Sequence, residues 1–192
     1  GALIAAVRDR WVHDLLADQF LGYELRRPRD VCRSVYLPLD MAWASDQVAS
    51  PRARYRAPTP AEPTPLPPGT SPLEAFDEAG GSLLILGQPG AGKTVALAKL
   101  IEALLERAQR DANAPVPVGF FLRSWADEQA DAKSEIATNR LQAWMVARLA
   151  AEYHMGREAA RQWVADGLIT PLLDGLDELP EAVQADCARA IN

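Results

Sequence analysis

The feature that most constrains this chain is an eight-residue stretch, from Gly87 to Thr94, that fits the pattern GxxxxGK[ST] without a mismatch. The apolar run Ser82–Leu86 precedes it and predicts a buried strand, and Thr94–Arg110 after it has the apolar spacing of a helix. Glycines let such a loop curl so that successive backbone N–H groups point at phosphate oxygens, and the helix N-terminus adds positive potential. The sequence therefore predicts a phosphate-binding loop between a strand and a helix.

Two side chains of this loop carry the expected chemistry. Lys93 is expected to reach the β- and γ-phosphates of a nucleotide as a point charge. The Thr94 hydroxyl is expected to ligate a Mg²⁺ ion that bridges the same two phosphates. The candidate nucleotide-binding residues are Gly87, Gln88, Pro89, Gly90, Ala91, Gly92, Lys93 and Thr94.

A nucleotide site of this kind also needs a carboxylate at the end of another strand. Asp174 lies 80 residues beyond the end of the loop, directly after the apolar run Leu168–Leu173, and is the candidate to hold the magnesium shell. Asp177 and Glu178 are candidates to polarise an attacking water as the general base. The alternative role for these two acids is helix capping, because acids favour the start of the helix expected near Pro180. The sequence does not decide which of the two acts.

Downstream of the loop the pattern alternates between strands and helices. Such alternation favours a parallel sheet with helices on its faces, so the predicted fold class is α/β. The further predicted elements are a strand over Val116–Leu122, a helix over Ser134–Tyr153, a short helix over Arg157–Asp166, a strand at Leu168–Leu173 and a last helix opened by Pro180. The last helix has Val183, Cys187 and Ile191 four residues apart, which predicts one apolar face.

Three segments are expected along the chain. Residues 1–50 form an N-terminal helical segment, in which the first 21 residues have the spacing of an amphipathic helix with Trp11 on its apolar face. Residues 51–72 hold eight of the fifteen prolines and predict an extended linker, with a motif for proline-binding modules as the alternative. Residues 73–192 form the α/β core. Trp125, Trp144 and Trp163 are interpreted as core or interface residues.

Composition excludes several classes of protein. The chain has 26 acidic and 20 basic side chains and a net charge of -6, which argues against nucleic acid as a partner. Its two cysteines, Cys32 and Cys187, form no disulfide scaffold or zinc motif. No apolar run reaches the roughly 18 residues that a membrane span needs. We therefore expect a cytoplasmic protein without a membrane span.

Taken together, these motifs resemble those of NACHT-domain NTPases, within the STAND class of signalling P-loop ATPases, and most of all the bacterial branch. The resemblance covers about residues 73–192. It is carried by the lead-in Leu83–Gly87, the loop that ends in Lys93-Thr94, the segment Pro117–Ala126, the acidic stretch Leu172–Leu179 and the closing Cys187–Asn192. The acidic stretch, with a Gly-Leu inserted between its aspartates, is the most specific of these. The segment around Trp11 is similar to the one that often precedes this domain.

The resemblance implies a switch that binds ATP or ADP with Mg²⁺ and hydrolyses ATP slowly. It also implies that the ATP-bound state of the full-length protein self-oligomerises, that a further region senses an unknown ligand, and that an attached effector is activated, in bacterial members often in defence. Preference for adenine over guanine rests on the resemblance alone. Arg123, just past the second predicted strand, is a weaker candidate to approach phosphate from the edge of the sheet.

One departure from the family pattern concerns the sheet. The resemblance implies the strand order 5-1-4-3-2, and the chain ends before a fourth strand, so we expect a piece of a longer protein. Without that neighbour, the strand before the loop and the strand before Asp174 have unpaired backbone groups and an exposed apolar seam. We expect a marginally stable fold, and a rearrangement in which these two strands close up would move Asp174 away from its place relative to Lys93.

Two other functions fit the same motifs. One is a metabolic P-loop ATPase or an enzyme that transfers phosphate to a small molecule, which predicts a substrate lid and an acceptor pocket that the sequence does not display. The other is a scaffold whose loop holds nucleotide without turnover. Hydrolysis that depends on Asp177 or Glu178 distinguishes the switch from the scaffold.

Overall fold

The protein is a mixed α/β structure, seen in a computed structural model that describes residues 1–14, 41–43, 64–88, 90–128 and 137–191. These residues contain seven α-helices, a two-stranded parallel sheet and one short antiparallel pair. The helices are α1 Ala2–Val7, α2 Pro72–Glu78, α3 Lys93–Arg110, α4 Arg123–Glu128, α5 Ala137–Glu152, α6 Arg157–Ala165 and α7 Glu181–Ile191. The strands are β1 Ala42–Trp43, β2 Thr64–Pro65, β3 Val116–Phe121 and β4 Ile169–Asp174. None of these helices is long and apolar enough to cross a membrane.

The central sheet is made by β3 and β4, which pair in parallel along their whole length. The N–H groups of Val116 and Leu122 donate to carbonyls of the β4 segment, so alternate residues of β3 point their backbone groups at β4. Pro117 falls between them, and Pro171 holds the equivalent outward position on β4. Because proline has no N–H, it is tolerated in a strand only where no ladder bond is needed. Both prolines therefore fit the outer edges of this sheet.

The helix α3 packs against this sheet and begins where the predicted loop ends. Its N-cap residue, Gly92, adopts a φ of 83°, which a residue with a side chain rarely adopts. Arg107 and Arg110 lie in the last turn, where positive charge is favoured by the helix dipole. One face is buried over the full length of the helix, and its members are Ala96, Leu97, Ala98, Leu100, Ile101, Leu104, Leu105 and Ala108. The predicted helix Thr94–Arg110 is thus present, one residue longer at its start.

The strand predicted over Ser82–Leu86 is absent, which is the main correction to the predicted fold. The segment joins no sheet, and Leu84 and Leu86 are 52% and 54% exposed. Leu83 and Ile85, which alternate with them, are half-buried. A strand needs a neighbour for its backbone groups, and the described residues offer none here. The segment also does not pair with β4, so the two segments do not close up against each other.

The last part of the predicted proline-rich linker contains regular secondary structure. Residues 51–63 lie outside the described part of the chain, but Thr64–Pro65 pairs antiparallel with Ala42–Trp43. Ser71 then starts α2 with a reciprocal cap, because its hydroxyl accepts from the Glu74 N–H (3.2 Å) while the Glu74 carboxylate accepts from the Ser71 N–H (2.7 Å). The last residues of the predicted linker, Ser71 and Pro72, thus cap and begin α2.

Aromatic side chains fill the core between the sheet and the helices that follow it. Phe120 of β3 contacts Trp144 of α5 with ring centroids 5.5 Å apart, and Trp125 of α4 meets the same indole edge-on at 5.7 Å. The last helix adds Cys187, which is fully buried. The predicted apolar face of that helix is only partly correct, because Ile191 is 43% exposed at the helix end.

The N-terminal segment docks on β3 through Trp11. The helix α1 continues as a wider π-helical turn over Arg8–Asp14, and Trp11 is fully buried. Its ring stacks on Phe121 with centroids 4.4 Å apart. Its indole N–H donates to the Tyr153 hydroxyl (3.0 Å), which donates to the Gly119 carbonyl (2.7 Å). The predicted apolar face is confirmed up to Trp11, and residues 15–21 lie outside the described part of the chain.

This docking depends on a glycine. A Cβ atom built on Gly119 would lie 2.0 Å from the Trp11 ring, closer than any real contact. We expect Gly119→Ala to displace the indole and to lower the free energy of unfolding by about 3 kcal/mol, because an overpacked site and a lost buried tryptophan both cost stability. Urea unfolding followed by tryptophan fluorescence measures this change. Gly156→Ala is the matched control, since nothing lies within 4 Å of its Cβ position; equal effects of the two variants would contradict the expectation.

Candidate functional site

The predicted phosphate-binding loop runs into the start of α3 through a tight turn. The Ala91 N–H donates to the Gln88 carbonyl at 3.0 Å, and Gly90 has a φ of 79°. A Cβ atom on Gly87 would lie 3.2 Å from the Ala91 side chain, so this position also favours glycine. Pro89 lies outside the described residues. The glycines of the motif thus meet local backbone demands that other residues meet poorly.

The N-terminus of α3 is left open toward this loop. Its N-cap residue, Gly92, supplies no side-chain cap, and the first turn contains no acidic residue. The first N–H groups of a helix have no partner inside the helix, and together with the helix dipole they favour an anion. The end of the helix that faces the loop therefore has the backbone chemistry that a phosphate group requires.

Lys93 bends back over the loop. Its Nζ atom donates to the carbonyls of Gly87 (2.9 Å) and Gln88 (3.4 Å). The same ammonium forms an ion pair with Asp177, at 3.1 Å from Nζ to Oδ2. The first residue of α3 is thereby joined to the acidic turn that follows β4.

Asp174, the last residue of β4, lies beside Thr94 at the start of α3. Burial raises the pKa of the Asp174 carboxyl, and the negative charges of Glu178 and Asp177 act in the same direction. The Thr94 hydroxyl and the Gly175 N–H, which donates to Oδ1 at 3.0 Å, partly oppose that increase in the pKa. The half-buried carboxylate thus lies in a site where negative charge is disfavoured and a cation would be favoured.

The acidic turn after β4 carries the two remaining candidates. Gly175, at a φ of 85°, turns the chain into a single 3₁₀ turn over Leu176–Glu178. Glu178 pairs with Arg123 from the end of β3, at 3.1 Å, and both side chains are largely exposed. Neither acid hydrogen-bonds to the first turn of α7 within the described residues, so their observed partners are basic side chains and not helix N–H groups.

The structure therefore brings the predicted side chains to one edge of the sheet. Lys93 contacts Asp177, Thr94 lies beside Asp174, and Arg123 adds a second positive charge beside the turn. Ser82–Leu86 does not pair with β4, so the rearrangement that would have moved Asp174 away from Lys93 is not seen. The pairings of the two acids with Lys93 and Arg123 were not predicted, since no local pattern specifies contacts between distant segments.

The donor set at this edge suits magnesium held together with phosphate. Among the described residues, no three His, Cys, Asp or Glu side chains converge into a ready-made metal centre. Mg²⁺ in nucleotide sites takes one or two protein ligands and completes its shell with phosphate oxygens and water. The Thr94 hydroxyl and the Asp174 carboxylate fit that arrangement.

A separate groove lies between α5 and α6 and has different chemistry. Val146 and Val164 lie on its walls with Arg157 and Arg161, and Arg161 already pairs with Glu158 at 3.0 Å. No acid or nucleophile lines this groove. The loop at the start of α3 therefore remains the candidate site.

Comparison of the chain with models of known protein families, with curated proteins and with solved structures gives no match.

The burial of Asp174 leads to a stability prediction. In the presence of EDTA we expect Asp174→Asn to raise the melting temperature at pH 7 by a few degrees, because the amide keeps the shape of the carboxylate without its charge. Tryptophan fluorescence during heating measures the shift. Asp166→Asn, at the exposed end of α6, is the control and should change little.

The same prediction has a defined pH dependence. Since the pKa of Asp174 is higher in the folded chain than its ordinary value of 3.8, the unfolded chain loses this proton first as the pH rises. The free energy of unfolding therefore falls from about pH 3.8 upward until the folded-state pKa is passed. The advantage of Asp174→Asn should vanish below pH 3.8, and an equal advantage at all pH values would contradict this explanation.

Proposed function

We propose that this chain is the nucleotide-binding part of a NACHT-type signalling ATPase, a switch that binds ATP or ADP with Mg²⁺ and hydrolyses ATP slowly. One observation carries the proposal: Asp174 at the end of a parallel strand lies beside Thr94 at the start of a glycine-led helix, although 80 residues separate them. A chance match to the loop pattern would not bring an acid from a distant strand to that position.

The sheet supports the same proposal. In the strand order 5-1-4-3-2, the second and third strands are parallel neighbours, and β3 and β4 are paired in this way. The first and third strands are not neighbours in that order, and Ser82–Leu86 and β4 are likewise unpaired. We propose on this basis that β3 and β4 correspond to strands 2 and 3 of a P-loop NTPase sheet.

Each side chain has a role in this proposal that its position allows. Lys93 binds the β- and γ-phosphate oxygens, and the open N-terminus of α3 supports it with backbone N–H groups. Thr94 and Asp174 hold the magnesium ion and its water shell. Asp177 or Glu178 accepts a proton from water. When bound, MgATP supplies the terminal phosphoryl group that this water attacks.

The remaining parts of the proposal rest on the resemblance alone. We propose that the ATP-bound full-length protein self-oligomerises, that an unknown ligand sensed elsewhere controls this step, and that an attached effector is activated. A role in bacterial defence belongs to the same proposal.

A scaffold that holds nucleotide without turnover is the second candidate, and one observation favours it. Both acids that are candidates to polarise water are already engaged, Asp177 with Lys93 and Glu178 with Arg123. A carboxylate held by a cation is a weaker proton acceptor. Turnover therefore requires that at least one of these pairs opens.

Nucleotide binding provides the first test. We expect MgATP and MgADP to stabilise the chain and MgGTP to do so less. Lys93→Ala should weaken MgATP binding about 10- to 150-fold, the effect of losing hydrogen bonds to a charged group. Isothermal titration calorimetry measures the dissociation constants. Lys99→Ala removes a lysine from the same helix that pairs with Glu102, and it serves as the matched control. Equal affinities of the two variants would sink the proposal.

Hydrolysis provides the second test and separates the switch from the scaffold. We expect Glu178→Gln to lower the rate of phosphate release about 100-fold or more while MgATP still binds, because general-base catalysis contributes on the order of 10²–10⁴-fold. Single-turnover phosphate release under saturating MgATP measures this rate. If the parent chain releases phosphate no faster than a double variant with Asp177→Asn and Glu178→Gln, the scaffold is the better description.

A further inference from the structure

The ammonium group of Lys93 is engaged within the protein itself. Its Nζ atom donates to two carbonyls of the loop, those of Gly87 and Gln88, and it forms an ion pair with the carboxylate of Asp177. The positive charge that the loop would present to a phosphate is therefore balanced by a negative charge from the turn after β4.

We infer that Asp177 is an internal counter-ion of Lys93 that an incoming nucleotide phosphate must displace. This inference rests on the proposed function and adds a regulatory step to the same site. A carboxylate and a phosphate both offer anionic oxygens, so they compete for the same ammonium group. The Lys93 side chain is 22% exposed and that of Asp177 is 62% exposed, so the carboxylate has solvent into which it can rotate.

The two acids of the turn thereby receive different roles. Glu178 faces Arg123, on the side of β3, whereas Asp177 faces the phosphate-binding loop. The turn that carries them is anchored at its far end by Leu179, which is buried. Displacement of Asp177 therefore needs a rotation of its side chain and no rearrangement of the turn.

The competition has a consequence for the metal ion. Once a phosphate binds Lys93, the negative charge of the released Asp177 no longer has a positive partner. Asp177 and Glu178 lie close enough to Asp174 for their charges to act on its carboxyl. Like charges in such proximity favour a nearby cation. Magnesium should therefore strengthen nucleotide binding in part by balancing the acid that the nucleotide displaces.

The test compares ATP binding by the parent chain and by Asp177→Asn. ATP in EDTA is the probe, because competition for Lys93 needs no magnesium, whereas any contribution of Asp177 to metal binding is then absent. We expect Asp177→Asn to bind ATP about two- to five-fold more tightly, the range of a solvent-exposed ion pair. The gain should shrink in high salt, which screens the pair. Calorimetry measures both affinities.

Glu181→Gln is the control for the loss of one negative charge, because it removes the same unit charge from the start of α7. It should change the affinity for ATP by less than about 1.5-fold at moderate salt. A substitution that only destabilised the fold would weaken ATP binding, so tighter ATP binding by Asp177→Asn cannot result from destabilisation. If Asp177→Asn binds ATP only as tightly as Glu181→Gln does, or more weakly than the parent chain, the inference is overturned. The proposed function still stands in that case, provided that the parent chain binds ATP. Absence of binding by the parent to both ATP and MgATP overturns both.

Discussion

Parallel pairing of β3 with β4 determines where the charged groups of the candidate site lie. Both strands end at the same edge of the sheet, so Arg123 after β3 and Asp174 at the end of β4 emerge next to each other. The register is held by apolar residues, since Phe120 and Leu172 are buried and a shift by one residue would turn them outward. The polar edge is thus positioned by hydrophobic packing that takes no part in its chemistry.

Much of the fold near this edge could be predicted from local pattern. The predicted bounds of α3, β3 and β4 differ from the observed ones by one residue, because a buried apolar run or stripe defines each element. Ser82–Leu86 has an equally clear apolar run but is no strand, since a strand also requires a partner that a local pattern does not reveal. The cap formed by Ser71 and Glu74 was detectable, because serine followed three residues later by glutamate signals a helix start.

For the candidate site, too, the sequence indicates the residues but not their contacts. The identities of Lys93, Thr94 and Asp174 as candidates follow from spacing and residue type, since phosphate and magnesium each demand particular donors. Their partners do not follow, because the contact between Lys93 and Asp177 depends on how the turn after β4 meets the loop. Sequence reasoning therefore proposes candidate groups but leaves open which charges they balance. That balance decides how readily an anion enters.

The contact of Trp11 with Tyr153 has a consequence for how the chain folds. These side chains are 142 residues apart in the sequence, so their hydrogen bond closes most of the chain into one loop. Contacts of such separation form late, after the entropy of closing the loop has been lost. During synthesis, the N-terminal helix leaves the ribosome long before β3 and α5 exist to cover it. Its apolar face, including Leu3 and Val7, then stays exposed to chaperones or to neighbouring chains until the core is complete.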